Sequence, residues 1–219
     1  MLLDWDARFE QFAEQSLGEA PDPAHDLAHI RRVVANVRLL AELEDANPAV
    51  VLPAAWLHDC VILPKDSPQR AQASRLAAAR AGDFLRRIAY TPSLIPAIEH
   101  AIVAHSFSAG IPPQTLEAQV VQDADRLDAL GAIGIARTLM LGGAMGKPLY
   151  DEDEPLPQSR VADDRVYVID HFYTKLLRLA EMFHTAAGRR EAERRTRLMR
   201  SYLAELEREL SGALLPAFE

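Results

Sequence analysis

The stretch Val50-Val51-Leu52-Pro53-Ala54-Ala55-Trp56-Leu57-His58-Asp59 decides the fold. Its first eight residues are apolar without alternation, which reads as a buried helix. The run then stops at an imidazole beside a carboxylate. Burying that pair without partners costs several kcal/mol, so neighbours must satisfy it. Two readings stay open. In one, His58 caps its helix and Asp59 takes a backbone donor. In the other, both side chains bind one metal ion, which requires further His or Asp ligands from elsewhere in the chain.

Helical periodicity continues on both sides. Phe9, Phe12, Ala13 and Leu17 outline an amphipathic helix that Gly18 stops, and Pro21-Asp22-Pro23 makes a turn. Leu27, Ile30, Val33, Val34, Val37, Leu40 and Leu43 predict one apolar side of a second helix, broken at Asn47-Pro48. Residues 61–68 hold two prolines and read as a loop. A long helix is expected from Gln69 to Ile88. Thr91-Pro92 is expected to cap another that runs to about His105, and Thr115 to start one through Asp123, Asp125 and Asp128. Gly142-Gly143 and Gly146 are expected to open a long loop carrying Asp151-Glu152-Asp153-Glu154. That run lacks the ligand spacing of a calcium loop and reads as solvated surface. Two last helices are expected, 166–187 and 189–210. The second carries a stripe of Leu203, Leu206, Leu210 and Leu214, for packing on the body or for a homodimer seam. Its arginines alternate with glutamates, as on a salt-bridged exposed face. No stretch alternates as a strand does. The expected class is all-α, a single helical bundle over residues 1–219.

Composition bounds the function. A chain of 219 residues with 49% hydrophobic content can build a substantial core, and a net charge of −8 argues against non-specific nucleic-acid or acidic-membrane binding. A local basic pocket for a phosphorylated small molecule stays open. Cys60 is the single cysteine, so no internal disulfide forms and a reducing compartment is expected. Cys60 itself reads as a small buried filler rather than a nucleophile. The first residues do not resemble a signal peptide and no run approaches the ~18 apolar residues of a membrane span, so a cytoplasmic protein without a membrane partner is expected.

Seven histidines and an acidic cluster supply candidate ligands. His25 and His29 are four apart, but Asp26 rather than Glu follows the first, which fits a zinc protease poorly. Asp125 and Asp128 share one side of a helix while Asp123 points elsewhere. A local alternative pairs Arg126 with one of these carboxylates, Asp128 being a candidate.

The ordered set His29, His58-Asp59 and Asp125 resembles the H…HD…D signature of the HD superfamily of metal-dependent phosphohydrolases. The segments His25 to Val33, His58-Asp59-Cys60 with Lys65, His105 to Ser108, Gln122 to Gly131 and His171 to Leu177 are similar to its YedJ/YpgQ-like branch. The resemblance spans roughly residues 21–179 and leaves 180–219 as a helical extension. It implies an all-helical domain and a divalent ion held by His29, His58, Asp59 and Asp125. Two imidazoles and two carboxylates suit Mn2+, with Fe2+, Co2+, Ni2+, Zn2+ or Mg2+ as alternatives. The expected chemistry is attack of a metal-activated water on a phosphate ester or anhydride. Asp59 and His105 are the candidate catalytic residues, His105 also standing as a phosphate ligand or a cap of its own helix. Lys65, Arg126 and Lys175 are candidates for binding a small phosphorylated substrate. The branch implies a nucleoside triphosphate cleaved to monophosphate and pyrophosphate. Two rivals are a nucleotide-sensing module without turnover and a di-iron oxygenase. The oxygenase needs extra histidines, and His100 and His105, five apart, stand about 140° apart on a helix.

Overall fold

The computed structural model describes residues 5–17, 26–63, 67, 69–106 and 109–212, and among them there are helices and no strands. No single described helix is long and apolar enough to cross a membrane. Contacts divide the chain into two compact units, Met1–Asp128 with Phe183–Gly188, and Ala129–Met182 with Arg189–Glu219.

The first unit contains α1 (Trp5–Leu17), α2 (Leu27–Glu44), α3 (Pro48–Leu57), α4 (Ala73–Arg87), α5 (Ile95–His105) and α6 (Leu116–Leu127). Helix α3 is the opening stretch and the centre of the unit: α1, α2, α5 and α6 all pack against it. A helix apolar on every side must be enclosed in this way, and Val51, Ala54, Ala55 and Leu57 are fully buried. Asn47 caps its start by accepting the Ala49 N–H, and Pro48 occupies the first turn. Pro53 stands inside the helix and has no N–H for the Ala49 carbonyl four residues back. The Tyr90 hydroxyl donates to that carbonyl at 2.7 Å, so the proline leaves no orphaned acceptor.

Helix α2 buries Ile30, Val33, Val34, Val37, Leu40 and Ala41. Leu43, expected on the same side, is 66% exposed. It stands about 200° round the helix from Ala41, on the solvent side. Thr115 caps α6 through the Ala118 N–H. Thr91 makes no side-chain cap, and a single 3-10 turn at Pro92–Leu94 precedes α5.

The second unit contains α7 (Gly131–Ala144), the short α8 (Asp170–Thr174), a 3-10 stretch at Leu176–Met182 and most of α9 (Ala186–Leu210). Gly142-Gly143 does not open a loop as expected. It lies inside α7, where a Cβ on Gly142 would meet Val168 Cγ2 at 2.3 Å, so glycine there permits close packing. The acidic run is tied to itself: Asp151 Oδ1 accepts the N–H groups of Asp153 and Glu154. Asp170, fully buried, is clamped by Arg160 through two bonds of 2.5 and 2.7 Å.

The expected helix 166–187 is not continuous. The N–H groups of His184 and Thr185 turn to the Asp123 carboxylate at 3.0 and 2.8 Å and are lost to any helical ladder. Thr185 Oγ1 then accepts the Gly188 N–H at 3.0 Å and starts α9 afresh. The buried stripe of α9 runs through Ala192, Thr196, Met199 and Leu203. Leu210 is 39% exposed, and Leu214 lies outside the described residues. The arginine-rich start is ion-paired, Glu191 with Arg194 and Arg195.

Candidate metal centre

Four helices of the first unit bring their side chains to one place. Asp26 caps α2 by accepting the His29 N–H at 2.7 Å, which sets His29 in the first turn, buried at 2% exposure. His58 follows the last residue of α3, and its Nδ1 lies 2.8 Å from the Ala55 carbonyl. His105 ends α5, and its Nδ1 lies 2.6 Å from the Ile102 carbonyl. A carbonyl only accepts, so both Nδ1 atoms carry hydrogen and both Nε2 atoms present a lone pair when the rings are neutral. The same contact satisfies a carbonyl in the last turn of each helix. Capping and ligation are thus not alternatives for these histidines; one ring nitrogen caps while the other points forward.

The forward atoms converge. His58 Nε2 lies 3.3 Å from Asp59 Oδ2 and 3.9 Å from Asp125 Oδ1. His29 Nε2 lies 3.7 Å from Asp59 Oδ2 and 3.4 Å from Asp125 Oδ1. The other Asp59 oxygen faces His105 Nε2 at 3.6 Å. Ligand atoms of His29, His58 and Asp125 all lie within 4.8 Å of one another, as do those of His58, Asp59 and His105. These separations are wider than a good hydrogen bond, about 2.7–3.2 Å, and match the spacing of ligands around one ion with bonds of about 2.1 Å. His58 Nε2 is fully buried without a hydrogen bond, a cost that a cation at that spot removes. The donor set fits a divalent ion of mixed nitrogen and oxygen preference.

The electrostatics agree. Burial disfavours charge on His58, but the adjacent Asp59 carboxylate, with Asp125 beyond it, raises its pKa to about 9. Burial likewise opposes ionisation of Asp125, yet His29 and the charge of His58 bring it down to about 2. Asp59 is held well below the usual carboxylate range, His58 and His105 prevailing over burial. His29 is raised: burial is outweighed by hydrogen bonds to Asp125 and Asp128. Each group is drawn toward its charged form by the others, so the cluster stores protons that a cation must displace.

Asp123 turns away to the 184–185 backbone. Arg126 is half-buried on α6, where burial lowers its pKa against the pull of Asp123 and Asp125. Lys175 belongs to the second unit and is exposed. Lys65 and His25 lie outside the described residues, as do Phe107 and Ser108. His100 Nε2 accepts the Gln114 N–H at 3.0 Å, so that ring nitrogen is engaged outside the cluster. Cys60 is buried, and burial pushes its thiol up to about 12. Two residues that sequence reasoning gave no site role stand directly behind the cluster. Asp128 Oδ2 lies 2.7 Å from His29 Nδ1, and Arg32 holds the same carboxylate through Nε and Nη2 at 2.6 and 3.0 Å. The readable signal was a matched spacing, His29 with Arg32 on α2 against Asp125 with Asp128 on α6, each three apart.

Residues 26–130 match the model of the HD domain family. The YpgQ protein of Bacillus subtilis strain 168 is 33% identical over 202 residues, 90% of each chain. The chain belongs to the HD domain family. The HD segment begins at the α2 cap Asp26 and ends just after Asp128, so it contains every residue of the cluster. An HD-superfamily hydrolase from Bacillus thuringiensis has a similar solved structure, with a TM-score of 0.74 at 32% identity, over 95% of this chain and 97% of that one. The crystal structure of B. subtilis YpgQ in complex with ADP is as similar, with a TM-score of 0.74 at 31% identity, over 98% and 97% of the two chains. HD-family membership supports a hydrolase class and agrees with the all-helical architecture.

Proposed function

We propose that this HD protein is a divalent-metal-dependent phosphohydrolase whose substrate is a nucleotide, with a nucleoside triphosphate cleaved to monophosphate and pyrophosphate as the leading reaction. The reading rests on one observation above the rest: imidazoles and carboxylates from α2, the end of α3 and α6 converge at ligand spacing around the buried His58 Nε2. His29, His58, Asp59 and Asp125 hold the cation, with Mn2+ favoured by the donor set. A bound divalent ion acidifies water and neutralises charge developing on phosphorus.

The protein groups do the rest. Asp59 offers one oxygen to the cation side and the other to His105, 3.6 Å from its Nε2. His105, with Nδ1 fixed by the Ile102 carbonyl, carries a proton at Nε2 to the leaving oxygen as the P–O bond breaks. We assign neutralisation of the remaining phosphates to Arg126 and, from the sequence resemblance alone, to Lys65 and Lys175. The ADP complex of YpgQ supports a nucleotide as the ligand class.

The test is a panel of nucleotides with Mn2+, products resolved by chromatography, repeated on Asp59→Ala. Phosphate or pyrophosphate release that the substitution abolishes is the expected result. Turnover unchanged in Asp59→Ala would remove the assigned site, and tight nucleotide binding without release would favour a sensing module.

A further inference from the structure

We propose that Asp128, clamped by Arg32, is a positioning residue that fixes the His29 ring so that Nε2 faces the cation. The inference rests on the metal reading above. Asp128 is 1% exposed and sits at the C-cap of α6. A carboxylate there faces the negative end of the helix dipole and costs stability. Burial adds to that cost. Helix capping therefore does not explain an acid at this position, whereas its partners do. Arg32 delivers a fork of two N–H groups, 2.6 Å to Oδ1 and 3.0 Å to Oδ2. The Oδ2 atom also meets His29 Nδ1 at 2.7 Å. An ionised carboxylate can only accept, so Nδ1 must carry hydrogen and Nε2 must carry the lone pair.

The three histidines of the cluster differ in this respect. His58 and His105 anchor Nδ1 on carbonyls of their own helices, Ala55 and Ile102, which any sequence would supply. His29 anchors Nδ1 on a charged side chain from another helix, 99 residues away. A carboxylate behind an imidazole both orients the ring and raises its basicity as a ligand. Arg32 in turn holds the Asp128 carboxylate in place and stops it from rotating toward the cation as a competing ligand.

The experiment compares Mn2+ affinity by titration calorimetry in wild type, Asp128→Asn and Arg32→Met. In Asp128→Asn the amide can turn its NH2 to Nδ1 and force hydrogen onto Nε2, so the dissociation constant should rise 10- to 100-fold. In Arg32→Met the carboxylate survives without its clamp, so a smaller rise is expected, and Arg32→Lys should recover part of it. A purely structural tie between α2 and α6 would not set a tautomer. Ring 15N spectra of the metal-free protein with neutral rings should therefore show the His29 proton on Nδ1 in wild type and on Nε2 in Asp128→Asn. Should Asp128→Asn fail to fold, Arg32→Met, whose site is partly exposed, carries the comparison. A folded Asp128→Asn with wild-type Mn2+ affinity, an unshifted Arg32→Met, or a wild-type His29 proton on Nε2 would each overturn the inference and leave the metal reading intact. A wild type that takes up no divalent ion would end both.

Discussion

Mn2+ binding should strengthen steeply as pH rises toward 9, with protons leaving as the ion arrives. In the metal-free protein the His58 pKa stands at about 9 instead of 6.5. Below that value Nε2 holds a proton that any cation must displace. Each unit of pH lost below 9 therefore weakens apparent affinity about tenfold per displaced proton, and the interval from pH 8 to pH 6 costs about 100-fold, or ~2.7 kcal/mol. His29, also raised, steepens the slope. An unperturbed imidazole would behave otherwise, leaving affinity flat above roughly pH 7.5. Calorimetric titration in two buffers of different ionisation heat counts the protons; about one or more should leave at pH 7. The stability of the metal-free protein should run the opposite way. A folded pKa above the unfolded one gives stability that is full below pH 6.5 and is lost as pH rises through about 9. The shift corresponds to about 3 kcal/mol. With a chelator present, the thermal midpoint should fall over that window, and with saturating Mn2+ it should not. Affinity that is flat between pH 7 and 8, with no proton release, would refute the account of the cluster.

Tyr90→Phe should destabilise the fold by roughly 1–3 kcal/mol in urea unfolding, because the Ala49 carbonyl loses its donor. The loss should shrink in a Pro53→Ala background, where the helix regains its own N–H, and an equal loss in both backgrounds would contradict the coupling. Cys60, buried with its thiol near 12, should resist thiol reagents in native protein at pH 8 and react once unfolded. Lys65→Ala should raise KM for the nucleotide with a smaller effect on kcat, and a variant with wild-type kinetics would remove Lys65 from substrate binding.

The sequence by itself determined the helices of the first unit, that α3 lies innermost, and the order of the candidate ligands. Those properties are local: an apolar run without a polar side, a 3.6-residue period, or a cap such as Asn47 or Thr115 is visible within a few residues. Where local signals were ambiguous, tertiary packing chose. Gly142-Gly143 looks like a break, yet it lies inside α7, where the missing Cβ of Gly142 leaves room for Val168. Residues 166–187 look helical, yet the chain is interrupted because Asp123, 61 and 62 residues away, claims the backbone of His184 and Thr185. Only the folded chain set Asp128 against His29 and Arg32, at separations of 99 and 96 residues. Hydrophobic periodicity states which side of each helix is buried. It does not state which polar groups two buried sides bring together; that follows from how α2 and α6 pack.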